Sequence, residues 1–551
     1  TIEKKVTGRT QYGDDYNLPN QAYMEILNST QAHATIAKVD ASKALAMKGV
    51  LAVITPQDIK DNPTWAAWRL AAPTMMILPY DKVRYAGEEV AAVVADDPYV
   101  AQEALSQITV TYEPLKFVLH PEESIKPGAP EIHPGGNIVR AGPTATFTFG
   151  DIAKGFAASD RTIEGRYETT VVQHNNLRSW AALVDWRDGR LHIWHDTQYM
   201  FGVRNGTADA LGIPRSSVVV YDEMGGGGFG DKNATNRPII LAAILSKKIG
   251  RPVKFRESNE DNLLHGVHRY NTVVYLKTGV KNDGTVQALE GRIVSGAAAY
   301  YNTASSGVAL EIYGIYKFPN FKIECFDAYT NIGRSGAYRC VSDPIGCYAI
   351  ETHMNKIATE LGMDPIEFRK KNNMYVKGDH DQQTGNRIPS IGQPRCIDRA
   401  KELSGWSTKY KPFVKGSKPT GVVHGIGVAN HCCAHGAGSL PNATVIVMNA
   451  DGSALVHTGA QDIGNSRTTQ LALIAAEHLG LPIEKVAISN TCTDACADSG
   501  TTAGSRQTKS GGNATALAAI DVRDQLSTAA AAKLGVKTEE LTLGLEKIYV
   551  T

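Results

Sequence analysis

The sequence predicts a multidomain protein of the mixed α/β class, and three observations predict it. Short apolar runs alternate with stretches of helical periodicity, a glycine-rich loop stands between a β-branched strand and an apolar helix, and two polar, Gly/Pro-containing stretches break the pattern. With 551 residues, 42% of them hydrophobic, the chain can bury a large core and divide into roughly three or four domains.

In the first region Val50–Ile54 and Val90–Ala95 read as strands. Between Asp97 and Gln107 the pattern turns helical: Asp97 is a side-chain cap, Pro98 suits the first turn, and Ala101, Ala104 and Leu105 share one face. Ile108–Tyr112 reads as strand again. Pro, Gly and His then cluster between Pro121 and Gly142, so residues 121–145 are expected to form an exposed linker closing a domain of residues 1–120. A second domain, residues 146–378, contains two long helices. In the later one Ile350, Met354, Ile357, Ala358 and Leu361 fall at helical spacing, with Gly362 as its stop and Asp364-Pro365 opening a further short helix. Residues 379–420 read as a second linker. A third α/β region, residues 421–551, follows; a helix is expected to open at Glu484, and Leu543–Val550 is the last element.

Lys+Arg 57 against Asp+Glu 56 leaves a formal charge of +1, so no global field draws the protein to nucleic acid or an anionic membrane, and a small-molecule substrate is expected. The longest apolar stretch, Pro238–Leu245, is far shorter than the roughly 20 residues that cross a bilayer. The opening TIEKKVTGR has no apolar core of the secretory kind, and eight cysteines are too sparse for a disulfide scaffold, so a reducing, cytoplasmic setting is expected. No C-x2-C pair of the kind used by zinc ribbons or iron–sulfur clusters is present.

The strongest local signal runs from the strand Val218–Tyr221 through Met224-Gly225-Gly226-Gly227-Gly228-Phe229-Gly230-Asp231-Lys232 to an apolar helix from about Arg237. Backbone N–H groups of such a loop, with a helix N-terminus behind them, make an anion site. The spacing Gly225, Gly227, Gly230 also satisfies G-x-G-x-x-G, with Glu257 as an acidic residue after the next strand, so an NAD-dependent dehydrogenase is an alternative.

Further segments discriminate. The opening KVTGRTQYGDDYNLPN, then VQHNNLRSWAALVDW, IWHDTQYMFGVRN, GGGGFGDK, GRSGAYRC at Gly333–Cys340, LGMDPIEFRKKN, GAQDIGNS from Gly459 and DSGTTAGSR from Asp498 resemble, in order, the large subunit of the molybdenum hydroxylases: the xanthine oxidase, aldehyde oxidase and CO dehydrogenase family. The resemblance implies a hammerhead-like N-terminal α/β domain followed by molybdopterin-binding α/β domains, the last incomplete at Thr551. It implies a molybdopterin-type cofactor, in some forms a dinucleotide, whose dithiolene carries molybdenum, with no direct metal ligand from the chain. Gln198 would face an oxo ligand, and Gly227, Gly228, Phe229 and Gly230 would pass close to the metal. Arg339 would lie beside it, and Gln461, Gly464, Asn465, Thr501, Thr502, Ala503 and Ser505 would hold the pterin and its phosphate. Amide, guanidinium and hydroxyl groups suit that work, because they donate to oxo, phosphate and pterin atoms without competing for the metal.

Departures from the family pattern matter too. The family commonly has Gln-Gly where Asn465-Ser466 stand, and Glu where Arg178 stands. In its purine hydroxylases a substrate-orienting Glu and an Arg occupy the positions of Asn233 and Gly307, which disfavours a xanthine-like substrate. Cys340 sits where the CO dehydrogenases carry copper, and a soft thiolate suits Cu(I). The following Val341-Ser342-Asp343 departs from their motif, and a packing role is the commoner fate of such a cysteine. His431-Cys432-Cys433-Ala434-His435 has ligating residue types, but in a strand neighbouring side chains point to opposite faces and no partner pair appears, so packing is expected there as well.

The implied reaction is hydroxylation, or reductive dehydroxylation, of an aromatic heterocycle, an aldehyde or an aromatic acyl-CoA with water-derived oxygen. In the family a glutamate general base belongs to a motif beyond the equivalent of Thr551, so a further chain is expected to complete the site. Electrons would pass to an iron–sulfur subunit and an FAD subunit, making a hetero-oligomer. A CO dehydrogenase-like Mo/Cu enzyme and a non-catalytic scaffold are the remaining alternatives.

Overall fold

The computed structural model describes residues 2–70, 75–222, 224–233, 235–372, 377–382, 385–412, 420–431, 441–489, 492–544 and 546–550. Its centre is a seven-stranded mixed sheet that joins sequence regions read above as separate. Ala22–Asn28, Val50–Ile54 and Glu89–Ala95 come from the first region, and Ala181–Arg187, Arg190–His195, Val218–Tyr221 and Val253–Arg256 from the second. The seam is the parallel pairing of Ala22–Met24 with Val253–Phe255. Every residue of Glu89–Ala95 is buried, which is why this strand is a continuous Val/Ala run, whereas Ala22–Asn28 and Arg190–His195 alternate. Helix Arg237–Ile249, capped by the Asn236 side chain on Ile239 N and carrying Pro238 in its first turn, lies on this sheet with Ile239–Leu245 all buried.

A second, five-stranded sheet packs one face on helices Ser305–Ile315 and Asp343–Leu361, and turns a face of paired Lys, Arg and Glu side chains to solvent. Asp343–Leu361 ends at Gly362 in the left-handed conformation, and Pro365–Asn372 follows, as the spacing predicts. The third region forms a sheet of Thr444–Met448, Ala454–Thr458 and Val486–Ser489 under helices Arg467–Leu479 and Gly512–Leu534. It is fastened to the edge of the central sheet: Thr493 N donates to the Val220 carbonyl and Val220 N to Thr493 Oγ1. Leu541–Gly544 and Lys547–Val550 close the chain as a hairpin.

Three expectations are corrected. The stretch 121–145 is not an exposed strand of linker: it starts with a helical turn, Pro121–Ser124, and buries Ile132 and Val139 against Tyr329 of the five-stranded sheet. Within 379–420 lie two helices, Gln393–Ser404 and Trp406–Lys409, anchored by buried Ile397 and Trp406. Glu484 sits in a single 3-10 turn, Ile483–Lys485, because Val486 at once enters the sheet. No helix among the described residues is long and apolar enough to cross a membrane.

First and second regions are also tied by charge. The fully buried Arg237 guanidinium binds Glu89 at 2.6 Å and Glu88 at 3.0 Å and donates to the Met76 carbonyl at 2.7 Å. Burial alone would raise the Glu89 carboxyl; Arg237, His265 and Arg334 outweigh it and hold the group at about 2. Arg237→Met strands two buried carboxylates and is expected to cost about 3–5 kcal/mol, read as a lower urea midpoint with an unchanged slope.

Candidate cofactor site

The glycine loop leaves Val218–Tyr221 and does not enter its helix until Arg237, so residues 224–236 form a long excursion that is pinned from beneath. Lys232, fully buried, donates to the Gly225 carbonyl at 2.9 Å and lies 3.7 Å from Asp196. Burial presses its pKa down, against Asp196, Asp231 and Asp222. Asp231 accepts from Trp180 Nε1 at 2.8 Å and Asn176 Nδ2 at 3.1 Å. The loop backbone runs where side chains cannot: a Cβ on Gly228 would meet Gln198 Oε1 at 2.5 Å, and one on Gly230 the Ala337 carbonyl oxygen at 2.3 Å, at φ +112°.

Gln198 gathers the remaining loops. Its Oε1 accepts from Gly230 N at 2.9 Å and Lys232 N at 3.3 Å, and its Nε2 donates to the Thr502 carbonyl at 2.8 Å. Thr502 returns a backbone bond to the Gln198 carbonyl, and its hydroxyl accepts from Gln461 N at 3.1 Å and Gln507 Nε2 at 3.0 Å. The result is a cavity of about 470 Å³ lined by Gln198, Phe229, Gly230, Arg339, Cys340, Asn465, Thr502, Ala503 and Ser505. Gly227, Gly228, Gln461, Gly464 and Thr501 stand just outside this lining. Gly227 approaches the Phe229 ring, Gly464 N donates to Asp462, and the Thr501 hydroxyl donates to Asn233 Oδ1 at 3.2 Å. A larger cleft, about 580 Å³, lies on the solvent face of the five-stranded sheet, where Lys277 pairs with Glu164 and Glu290 across strands and Lys322 with Glu324 along one.

Backbone strain concentrates at the smaller cavity. Phe229, Cys340, Val341 and Ser505 line it with φ of 52°, 64°, 41° and 55°, and Ser466 at 56° follows Asn465. For the β-branched Val341 this is a costly conformation, and such residues persist only where their surroundings over-determine them. Ser466 stands in the left-handed conformation at the position where the resembled family uses glycine.

Sequence reasoning missed the residues that impose this strain. Buried Arg269 donates to the carbonyls of Arg339 at 2.7 Å and Val341 at 2.6 Å, with its guanidinium 4.2 Å from the Tyr338 ring centre. His174 bridges the Val267 and Ala337 carbonyls, both at 2.9 Å. His174 lies in the VQHNNLRSWAALVDW segment and Arg269 in none of the quoted segments, but for both only the fold shows their targets.

The donors and acceptors present fit a phosphorylated pterin, whose phosphate takes N–H donors and whose ring N–H groups take amide oxygens. Asn465 Oδ1, Gln507 Oε1 and Arg506 Nε and Nη1 are buried on cavity-lining residues without a partner among the described residues. Buried polar atoms of this kind call for an outside partner. The dinucleotide alternative fares worse: Val218–Tyr221 runs parallel to Arg190–His195 and is bridged antiparallel at Tyr221 to Cys492, and Arg190–His195 runs antiparallel to Ala181–Arg187, so the loop does not leave a parallel switch point. Glu257 is buried against Asn262 and Trp180 N and cannot reach a ribose. Cys496 donates to the Cys492 carbonyl, and burial pushes its thiol up to about 12, so this pair is packed rather than ligating. Cys432, Cys433 and His435 lie outside the described residues.

Comparison with known proteins agrees with the geometry. Residues 7–116 match the aldehyde oxidase and xanthine dehydrogenase a/b hammerhead domain, and residues 132–373 and 399–551 each match a molybdopterin cofactor-binding domain. The xanthine dehydrogenase molybdenum-binding subunit of Escherichia coli O157:H7 is 30% identical over 560 residues, covering 98% of this chain and 73% of that protein. The nicotine 6-hydroxylase large subunit of Paenarthrobacter nicotinovorans is 28% identical over 573 residues, covering 98% of this chain and 68% of that one. Quinoline 2-oxidoreductase of Pseudomonas putida 86 shares the fold with a TM-score of 0.86 at 24% identity, covering 100% of this chain and 72% of that chain.

Two outcomes test this site. Gly230→Ala is both sterically blocked by Ala337 and conformationally strained, so it is expected to fold yet copurify with little pterin; wild-type pterin content would contradict the loop's role. Burial pushes the Glu257 carboxyl up to about 7. Folding therefore tightens its hold on a proton, and its contribution to stability is greatest below the ordinary value of 4.5 and is lost as pH rises through about 7. Glu257→Gln should accordingly gain melting temperature over wild type between about pH 5 and about pH 8; a constant difference would refute the assignment.

Proposed function

This chain belongs to the aldehyde oxidase and xanthine dehydrogenase family of molybdenum oxidoreductases, and we propose that it is the subunit in which an electron-poor carbon of an aromatic heterocycle is hydroxylated with oxygen from water. The observation that carries this reading is the convergence on one cavity of Gln198, Phe229 and Gly230 of the glycine loop, Asn465 and residues 502–508. When bound, molybdopterin supplies a metal that activates water-derived oxygen and takes the electron pair from the substrate.

The chain's own part is positional. Gln198 holds the loops at fixed spacing and keeps one Nε2–H beyond its bond to Thr502 for the metal side. Asn465, Arg506 and Gln507 would hold the pterin and its phosphate through buried atoms that lack partners among the described residues, and Ser505 lines the same wall. Phe229, Tyr338 and Val341 give a flat substrate an apolar wall, and Arg339 adds a cation at the rim. Asn233 Oδ1 is occupied by Thr501, which leaves the amide N–H groups to a ring nitrogen or carbonyl of the substrate. A purine hydroxylase has a carboxylate at this position, so the amide favours a neutral heterocycle, and a relative named nicotine 6-hydroxylase supports that class. Among the described residues no Asp or Glu lines the cavity, and the proton acceptor is proposed to come from outside that lining. Iron–sulfur and FAD subunits are proposed to take the electrons, in keeping with relatives named as subunits.

Cys340 supports a second reading, since its thiol lines the same cavity as Arg339 and would place copper beside molybdenum. Purification of the chain with its partners, metal and pterin analysis, and assays on quinoline, an aromatic aldehyde, xanthine and CO in isotopically labelled water decide between them. Stoichiometric molybdenum and pterin, no copper, and label in hydroxylated quinoline are expected. Copper with turnover of CO favours the second reading, and a complex without molybdenum overturns both.

A further inference from the structure

Helices Ser305–Ile315 and Asp343–Leu361 approach closely at Gly346, where a Cβ would stand 2.6 Å from the Glu311 Cβ and 2.7 Å from the Val308 carbonyl oxygen. Only glycine permits that approach, and it sets Glu311 beside the next residue, Cys347. A third segment is fastened to the same spot. Asn430 N donates to Glu351 at 2.7 Å, Asn430 Nδ2 donates to the Tyr316 hydroxyl at 3.3 Å, and Cys347 Sγ donates to the Asn430 carbonyl at 3.1 Å. Glu351 is itself locked by Arg369. These bonds deliver His431, whose Nδ1 lies 3.3 Å from Glu311 Oε1.

We propose that Glu311, Cys347 and His431 form a zinc site. Their ligand atoms lie within 4.8 Å of one another. Donors around one tetrahedral zinc stand roughly 3.3–3.8 Å apart, so small side-chain rotations close the set. A carboxylate, a thiolate and an imidazole suit this borderline-soft ion, and the half-exposed His431 leaves the fourth position to water. On binding, zinc displaces the Cys347 thiol proton to solvent as the Zn–S bond forms. The ligands come from three segments, two helices and the stretch before residue 432, so the ion acts as a cross-link. None of the three lines the cofactor cavity.

The test uses the purified complex, stripped with a chelator and titrated with Co²⁺ and then Zn²⁺. A thiolate-to-cobalt charge-transfer band, bleached by zinc, is expected. Cys347→Ser should lose the band, His431→Gln should keep it while weakening zinc on the order of tenfold, and Cys396→Ala should change neither; molybdenum content should be equal in all. Absence of the band in wild type, its survival in Cys347→Ser, or undiminished zinc affinity in His431→Gln would overturn the site. The His431 variant alters a half-exposed residue, so it decides the matter even where the Cys347 variant folds poorly.

Discussion

A single amide holds the architecture of the cavity. Gln198 binds Gly230 and Lys232 through its oxygen and Thr502, 304 residues away, through its nitrogen, so the two halves of the chain meet at one side chain that is almost wholly buried. An unpaired amide there would bear the full desolvation penalty, so all three partners are held at once. Everything the site needs follows from that spacing: the loop passes under the amide because Gly228 and Gly230 have no side chains, and the 502–508 segment faces it across about 470 Å³.

What was legible in the sequence was local. Val218–Tyr221, the glycine loop and the helix from Arg237 are contiguous, each with its own signal, and they fold as read. Loops such as Asp498–Ser505 were placed only through resemblance, since hydroxyl-rich turns carry no periodicity. The linker readings failed for a physical reason. Pro- and Gly-rich composition reports turns, and it is silent on whether Ile132 or Trp406 within them finds a pocket. The targets of Arg269 and His174 were invisible because these side chains bind backbone carbonyls, and a carbonyl has no identity in sequence.

Strain and support are matched. Cys340 and Val341 hold positive φ while one guanidinium grips the carbonyls on either side of Cys340, and the same guanidinium lies over Tyr338. The loop that bears Arg339 is thus set by a neighbour 70 residues away in the chain rather than by its own preference. The same logic explains why Ser466 can replace a glycine: the bond from Gln470 Nε2 to the Asn465 carbonyl fixes the turn that precedes the helix.

The seam between Ala22–Met24 and Val253–Phe255 has a temporal side. About 230 residues separate the two strands, so a ribosome adding 5–20 residues per second delivers the second roughly 10–50 s after the first. Throughout that interval the nascent amino-terminal strand offers a bare row of amides and carbonyls on one edge, and whatever accompanies the emerging polypeptide must shield it until its mate arrives.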